Sequence, residues 1–165
     1  MEKLAKPVSV SQVLMTELVL PTHTNQLDTI FGGTIMAWVD IAAAICGTRH
    51  AERPVVTASI DGMHFIAPVY TGWIVTLKAS VNYVHRTSME IGVRIDAENP
   101  IEKLKVHTAS AYLTFVALDA QGNPMPVPGI ITENDDQRRR SDEAQIRRET
   151  RLENKKKIDA KRASR

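Results

Sequence analysis

FGGTIMAWVDIAAAICGTRHA, residues 31–51, is the stretch that decides the architecture. Two glycines open it, Thr34 is its first helix-like polar residue, and from Ile35 to Cys46 apolar side chains fall on nearly every helical face. A helix that is apolar all round is a buried helix. Roughly four turns at ~1.5 Å per residue suit a helix enclosed by a small sheet. Upstream, VSVSQVLMTELVL (8–20) alternates loosely as a strand and stops at Pro21 and a polar loop.

Downstream come four more strands. VVTASIDGMHFI (55–66) ends at Pro68. IVTLKASVNYVH (74–85) sets Val75, Leu77, Ala79, Val81 and Tyr83 against a polar face. MEIGVRIDAE (89–98) turns Met89, Ile91, Val93, Ile95 and Ala97 inward, and KVHTASAYLTFVALDAQG (105–122) runs to a turn at Gln121-Gly122-Asn123. Period-2 alternation on this scale predicts antiparallel strands with one solvated face. One strand, one long helix and four strands make an antiparallel sheet folded around a helix, an α+β architecture known as the hotdog fold.

The domain is expected over residues 8–130, with a charged tail, partly helical or disordered, over 131–165. The 165 residues suffice for one core. Residues 1–132 carry 9 Lys/Arg against 11 Asp/Glu, and residues 133–165 carry 12 against 8, so the basic balance belongs to the tail. A slightly acidic body is a poor footprint for nucleic acid. The tail has six hydrophobic residues and several i,i+4 charge pairs, which predicts an exposed helix with little apolar face. No apolar run is long enough to span a membrane and no signal-peptide core is present, so a cytoplasmic protein without membrane association is expected. The lone Cys46 excludes an internal disulfide and reads as a small buried hydrophobe.

Asp40 is the informative polar residue. Its helical neighbours Met36, Ala37, Ala43 and Ala44 include no cation. Such a carboxylate is either a general base in a sheltered site or a wetted surface acid. Gly32 and Gly33 offer free N–H groups at a helix start, suited to a developing oxyanion, though paired glycines also serve tight packing. Asp40 lies seven residues beyond Gly33, about 10 Å along the axis, so the two can share a pocket but not touch. Asn25, in the loop before the helix, can orient a water or simply form a turn. Arg86-Thr87-Ser88 between two strands can grip a phosphate or be a polar hairpin. His64 and His107 read as satisfied strand residues. The five histidines show no HxH or HxxxH spacing, so no metal site is expected, and no GxSxG, GxGxxG or GxxxxGK[ST] motif occurs.

Four blocks in order, HTNQLDTIFGGTIMAWVDIAAAI, VVTASIDGMHFIAPVYTG, YVHRTSMEIGVRI and YLTFVALDAQGNPMPVP, resemble the cytosolic acyl-CoA thioesterases of the hotdog superfamily over roughly residues 12–130. The resemblance implies hydrolysis of acyl-CoA thioesters to free fatty acid and coenzyme A. It implies Asn25 and Asp40 as the catalytic pair, Asp40 activating water or attacking the thioester directly. Gly32 and Gly33 would hold the thioester oxygen, and Arg86, Thr87 and Ser88 would lie near the coenzyme A phosphates. No cofactor is implied beyond the coenzyme A of the substrate. The family assembles as dimers, commonly three to a hexamer, with catalytic residues meeting across the dimer interface. Relatives often carry an acid where this chain has Thr29. Set against hydrolysis stand a dehydratase, which would want a histidine at the helix, a non-catalytic acyl-CoA or lipid-binding module, and RNA binding by the tail.

Overall fold

The computed structural model describes residues 4–163. A short strand β1 (Lys6–Pro7) and a 3-10 turn lead into β2 (Val13–Leu18), followed by a second 3-10 turn and helix α1 (Gly32–Ala51). Strands β3 (Val55–Ile60), β4 (Ile74–His85), β5 (Ser88–Asn99) and β6 (Leu104–Ala117) come next, then β7 (Ile130–Ile131) and helix α2 (Asp135–Ala163). The five longer strands form one antiparallel sheet in the order β2-β4-β5-β6-β3, and β7 pairs in parallel with β1. The expected first strand is thus shorter than residues 8–20, because Val8–Ser11 form the 3-10 turn. The third ends at Ile60 instead of running to residue 66.

The sheet's inner face packs on α1. Val75, Leu77, Ala79 and Val81 of β4, the five predicted residues of β5, and Ala109, Ala111, Leu113, Phe115 and Ala117 of β6 are all buried. A bulge between Val81 and Tyr83 shifts the register, so Val84 rather than Tyr83 joins the core. Gly47 permits the close approach of helix and sheet, since a Cβ there would meet Ile91 Cδ1 at 3.0 Å. The Cys46 thiol is buried in this core, and that burial pushes its pKa up to about 12, leaving it a neutral hydrophobe.

α1 departs from the all-buried reading. Ile35, Trp38, Val39, Ala42, Ala43 and Cys46 face the sheet, while Met36, Ile41 and Ile45 are 44%, 50% and 39% exposed. Beside them the edge strand β3 exposes Val56 and Ile60. One chain therefore leaves an apolar stripe on α1 and its neighbouring edge uncovered.

The tail differs from its expectation as well. It forms one 29-residue helix whose first half is fastened to the outer face of the sheet. Ala144 is fully buried, and the Arg147 guanidinium donates to Glu90 Oε1 at 2.7 Å and lies 3.7 Å over the Tyr112 ring. Arg151 bonds Asp61 in the connection after β3. From Leu152 onward the helix is exposed, as expected of so polar a segment. The attachment runs through ion pairs, which an apolar-face criterion does not register. Glu90 is 4% exposed at its side chain and has Asn82 as its other partner. Arg147→Ala should therefore leave a buried carboxylate half-compensated and cost on the order of 3 kcal/mol. Thermal unfolding should show a fall in Tm of roughly 10 °C, partly restored by Glu90→Gln in the same chain. An unchanged Tm would show that α2 carries no weight in the fold.

Candidate active site

The loop before α1 is built around Asn25. Its backbone N–H donates to Thr29 O at 2.9 Å, and its carbonyl accepts from Asp28 N–H at 3.0 Å, with Asp28 at a left-handed φ of 57°. The Asn25 side chain closes the same loop: Oδ1 accepts from Leu27 N–H at 2.8 Å, and Nδ2 donates to Thr29 Oγ1 at 3.0 Å. Thr29 is thus the residue that holds the Asn25 amide. Ile30 N–H donates to Val69 O, and Phe31 N–H donates to His23 O, so the chain enters α1 along a fixed path. The His23 ring meets Trp38 edge-on, with centroids 5.1 Å apart.

α1 begins at Gly32; Thr34 and Ile35 N–H donate to the N-cap carbonyl of Phe31, while the Gly32 and Gly33 N–H groups have no acceptor within the helix. At Gly33 a Cβ would stand 2.8 Å from the Phe31 ring, so glycine keeps this tip open. Two turns on, Asp40 is half-buried at the border of the uncovered apolar stripe. It does have a partner: Thr57 Oγ1, on the edge strand β3, donates to Asp40 Oδ1 at 2.6 Å. Thr57 escaped the sequence reading because a threonine inside VVTASI is an ordinary strand residue. Only the pairing of β3 with β6 and the packing of α1 bring it to Asp40.

Within one chain the two halves of the predicted pair stay apart. Asn25 bonds Thr29 and Leu27, Asp40 bonds Thr57, and no hydrogen bond joins the two sets. Arg86 and Thr87 form the two-residue turn between β4 and β5, with His85 paired to Ser88, the first residue of β5, and Arg86 at a left-handed φ of 51°. Val127 N–H donates to Arg86 O and Ala117 N–H to Thr87 O, and Ser88 Oγ donates to His85 O at 3.1 Å. The turn is thereby rigid, with Arg86 exposed.

Of the histidines, His107 is a satisfied strand residue, its ring 3.3 Å from Asp96 Oδ1 and from Ser110 Oγ. Burial alone would raise the Asp96 carboxyl, but Arg94, Lys78 and His107 together hold it below its usual range. His64 is not in a strand. It is exposed in the connection after β3, which the shortened strand leaves irregular.

A long helix packed on one face of a curled five-stranded antiparallel sheet is the hotdog architecture. The Thioesterase superfamily model matches residues 27–103. The acyl-CoA thioester hydrolase YkhA of Bacillus subtilis, itself uncharacterized, is 38% identical over 127 residues, covering 77% of this chain and 74% of that protein. Among solved structures, a hexameric acyl-CoA thioesterase in its apo form superposes with a TM-score of 0.89 at 38% identity, over 92% of this chain and 97% of that one. An acyl-CoA hydrolase from Staphylococcus aureus, solved with butyryl coenzyme A, coenzyme A and coenzyme A disulfide, gives 0.84 at 39% identity over 94% and 98%. That enzyme has also been solved as three alanine variants, of an asparagine, of an aspartate fifteen positions later and of a threonine seventeen further on. The chain belongs to the acyl-CoA thioester hydrolases of the thioesterase superfamily.

Proposed function

We propose that this chain hydrolyses acyl-CoA thioesters with Asp40 and Thr57 of one subunit and Asn25 of a second. The observation that carries the reading is the 2.6 Å hydrogen bond from Thr57 to Asp40 Oδ1. It fixes one carboxylate oxygen and leaves Oδ2 to take a proton from water. Asn25, Asp40 and Thr57 stand fifteen and seventeen positions apart, as do the three residues replaced in the Staphylococcus aureus enzyme.

The water oxygen attacks the thioester carbonyl while its proton passes to Asp40 Oδ2. Negative charge develops on the carbonyl oxygen, where the Gly32 and Gly33 N–H groups at the positive end of α1 stabilise it. The tetrahedral species collapses with cleavage of the C–S bond. The proton held on Asp40 goes to the departing thiolate, releasing coenzyme A and a carboxylic acid. Asn25 supplies an amide to orient the water, and Arg86, Thr87 and Ser88 offer a cation and two hydroxyls to the coenzyme A phosphates.

A second copy of the chain is the cover proposed for Met36, Ile41 and Ile45 of α1 and for the exposed side chains of β3. The hexameric thioesterase among the neighbours supports this assembly. A cytoplasmic reaction is the reading supported by relatives named cytosolic acyl coenzyme A thioester hydrolase. Separately, no helix among the described residues is long and apolar enough to cross a membrane. Release of coenzyme A from butyryl-CoA without added metal tests the activity. Thr57→Val should lower kcat about tenfold with KM little changed, since it frees the Asp40 carboxylate without touching substrate. A variant as fast as the parent would remove Thr57 from the machinery.

A further inference from the structure

One row of the sheet's outer face sets like charges side by side. Leu14 of β2 pairs with Lys78 of β4, Lys78 with Arg94 of β5, and Arg94 with Ser110 of β6. Directly paired residues of antiparallel strands share a face, and like charges set opposite each other destabilise the sheet. The first half of α2 brings Arg140 to the same place, so that Lys78, Arg94 and Arg140 line two adjoining clefts of about 220 and 360 Å³. All three are accessible, with side chains 50%, 51% and 39% exposed.

The carboxylates nearby do not balance them. Lys78 and Arg94 share Asp96, at 3.1 and 3.0 Å, and the His107 ring lies against the same carboxyl. Arg140 reaches Asp136 only at 3.8 Å, and Arg139 already bonds that residue at 3.2 Å. Arg139 and Glu143, which line the smaller cleft, pair with each other at 2.7 Å. Cations from β4, β5 and α2 thus converge with a surplus of positive charge, and Ser80 lines the larger cleft as Ser110 lines the smaller. Such a surplus costs stability, and an anion set among the three side chains removes it.

We infer that Lys78, Arg94 and Arg140 bind the phosphate group of a small phosphate monoester whose organic part lies in the larger cleft against Leu14. Cations approaching from three elements suit an anion with two charges and oxygens in several directions, which a phosphate monoester has and a carboxylate lacks. Leu14, 69% exposed on the wall of the larger cleft, is the apolar surface that the organic part covers. The site is separate from the hairpin proposed for the coenzyme A phosphates, since Lys78 stands seven residues along β4 from His85, about 23 Å. An ester bound there bridges β4 and β5 to α2.

Isothermal titration at constant ionic strength, with phenyl phosphate and with inorganic phosphate, tests the inference. Phenyl phosphate should bind saturably at a single site per subunit, and more tightly than inorganic phosphate, which has nothing to lay on Leu14. Lys78→Gln and Arg140→Gln should each weaken phenyl phosphate about tenfold, the loss of one charge-assisted contact, and Arg140→Lys should retain most of the affinity. R140Q should hydrolyse butyryl-CoA as the wild type does. No saturable binding, or an affinity unchanged in both glutamine variants, would overturn the inference. Inorganic phosphate bound as tightly as phenyl phosphate would overturn the assignment of a monoester. A KM for butyryl-CoA raised about tenfold in R140Q would give these cations to the substrate and overturn the separate site.

Discussion

Replacing Asp40 with asparagine should lower kcat/KM for butyryl-CoA by at least 10²-fold, with no loss of folding. The substitution keeps the shape of the side chain and leaves an oxygen to accept from Thr57 Oγ1, so the 2.6 Å bond to β3 can persist. What it removes is the lone pair that takes the proton of the attacking water. General-base assistance is worth about 10²–10⁴-fold. The loss should fall on kcat and kcat/KM alike, because the interaction is made only as the reaction proceeds. Asp40 is half-buried at the edge of an apolar stripe, where an amide is at least as comfortable as a carboxylate, so Tm should not fall. A D40N protein that keeps more than a tenth of wild-type activity would show that the proton goes elsewhere.

The inner side of the sheet was readable because burial there depends on alternation alone. Met89, Ile91, Val93, Ile95 and Ala97 alternate in the sequence and are all buried. The departures occur where a residue's surroundings depend on something alternation does not encode. A bulge at β4 exchanges Tyr83 for Val84, and another at β6 turns Thr108 inward, yet neither carries a glycine or proline within the bulged strand to mark it; the glycine against the first, Gly92, lies on the paired strand. α2 is fastened by Arg147 to Glu90 across a gap of 57 residues, a pairing no local period can reveal. For α1 the ambiguity is of another kind. Apolar residues on every helical face require burial on every face, without saying whose atoms do the burying. One chain covers Ile35, Val39 and Ala42 and leaves Met36, Ile41 and Ile45 open. Asp40 was legible as an acid without a cation nearby, whereas its hydroxyl partner Thr57 depends on β3 running beside α1.

Mixing Asn25→Ala with Asp40→Ala chains should restore activity that neither variant has alone. Asn25 is locked into the loop before α1 by Thr29 and Leu27, so it does not swing freely toward a carboxylate farther down the same helix. Asp40 lies two turns below Gly33, about 10 Å along the axis. A two-fold axis that sets two such helices side by side, running opposite ways, brings the loop of one chain near the carboxylate of the other, and the exposed stripe of α1 is the surface such an axis would bury. Each dimer then holds two sites, each drawing Asn25 from one chain and Asp40 from the other. In a heterodimer of the two variants one site carries both alanines and the second carries neither. Random refolding yields half heterodimers with one intact site of two, so the mixture should reach about a quarter of wild-type activity. If both residues of a site came from one chain, every site in every combination would lack one of them. Heterodimers confirmed by mass that recover no activity would therefore place Asn25 and Asp40 of each site on the same chain and overturn the shared-site reading.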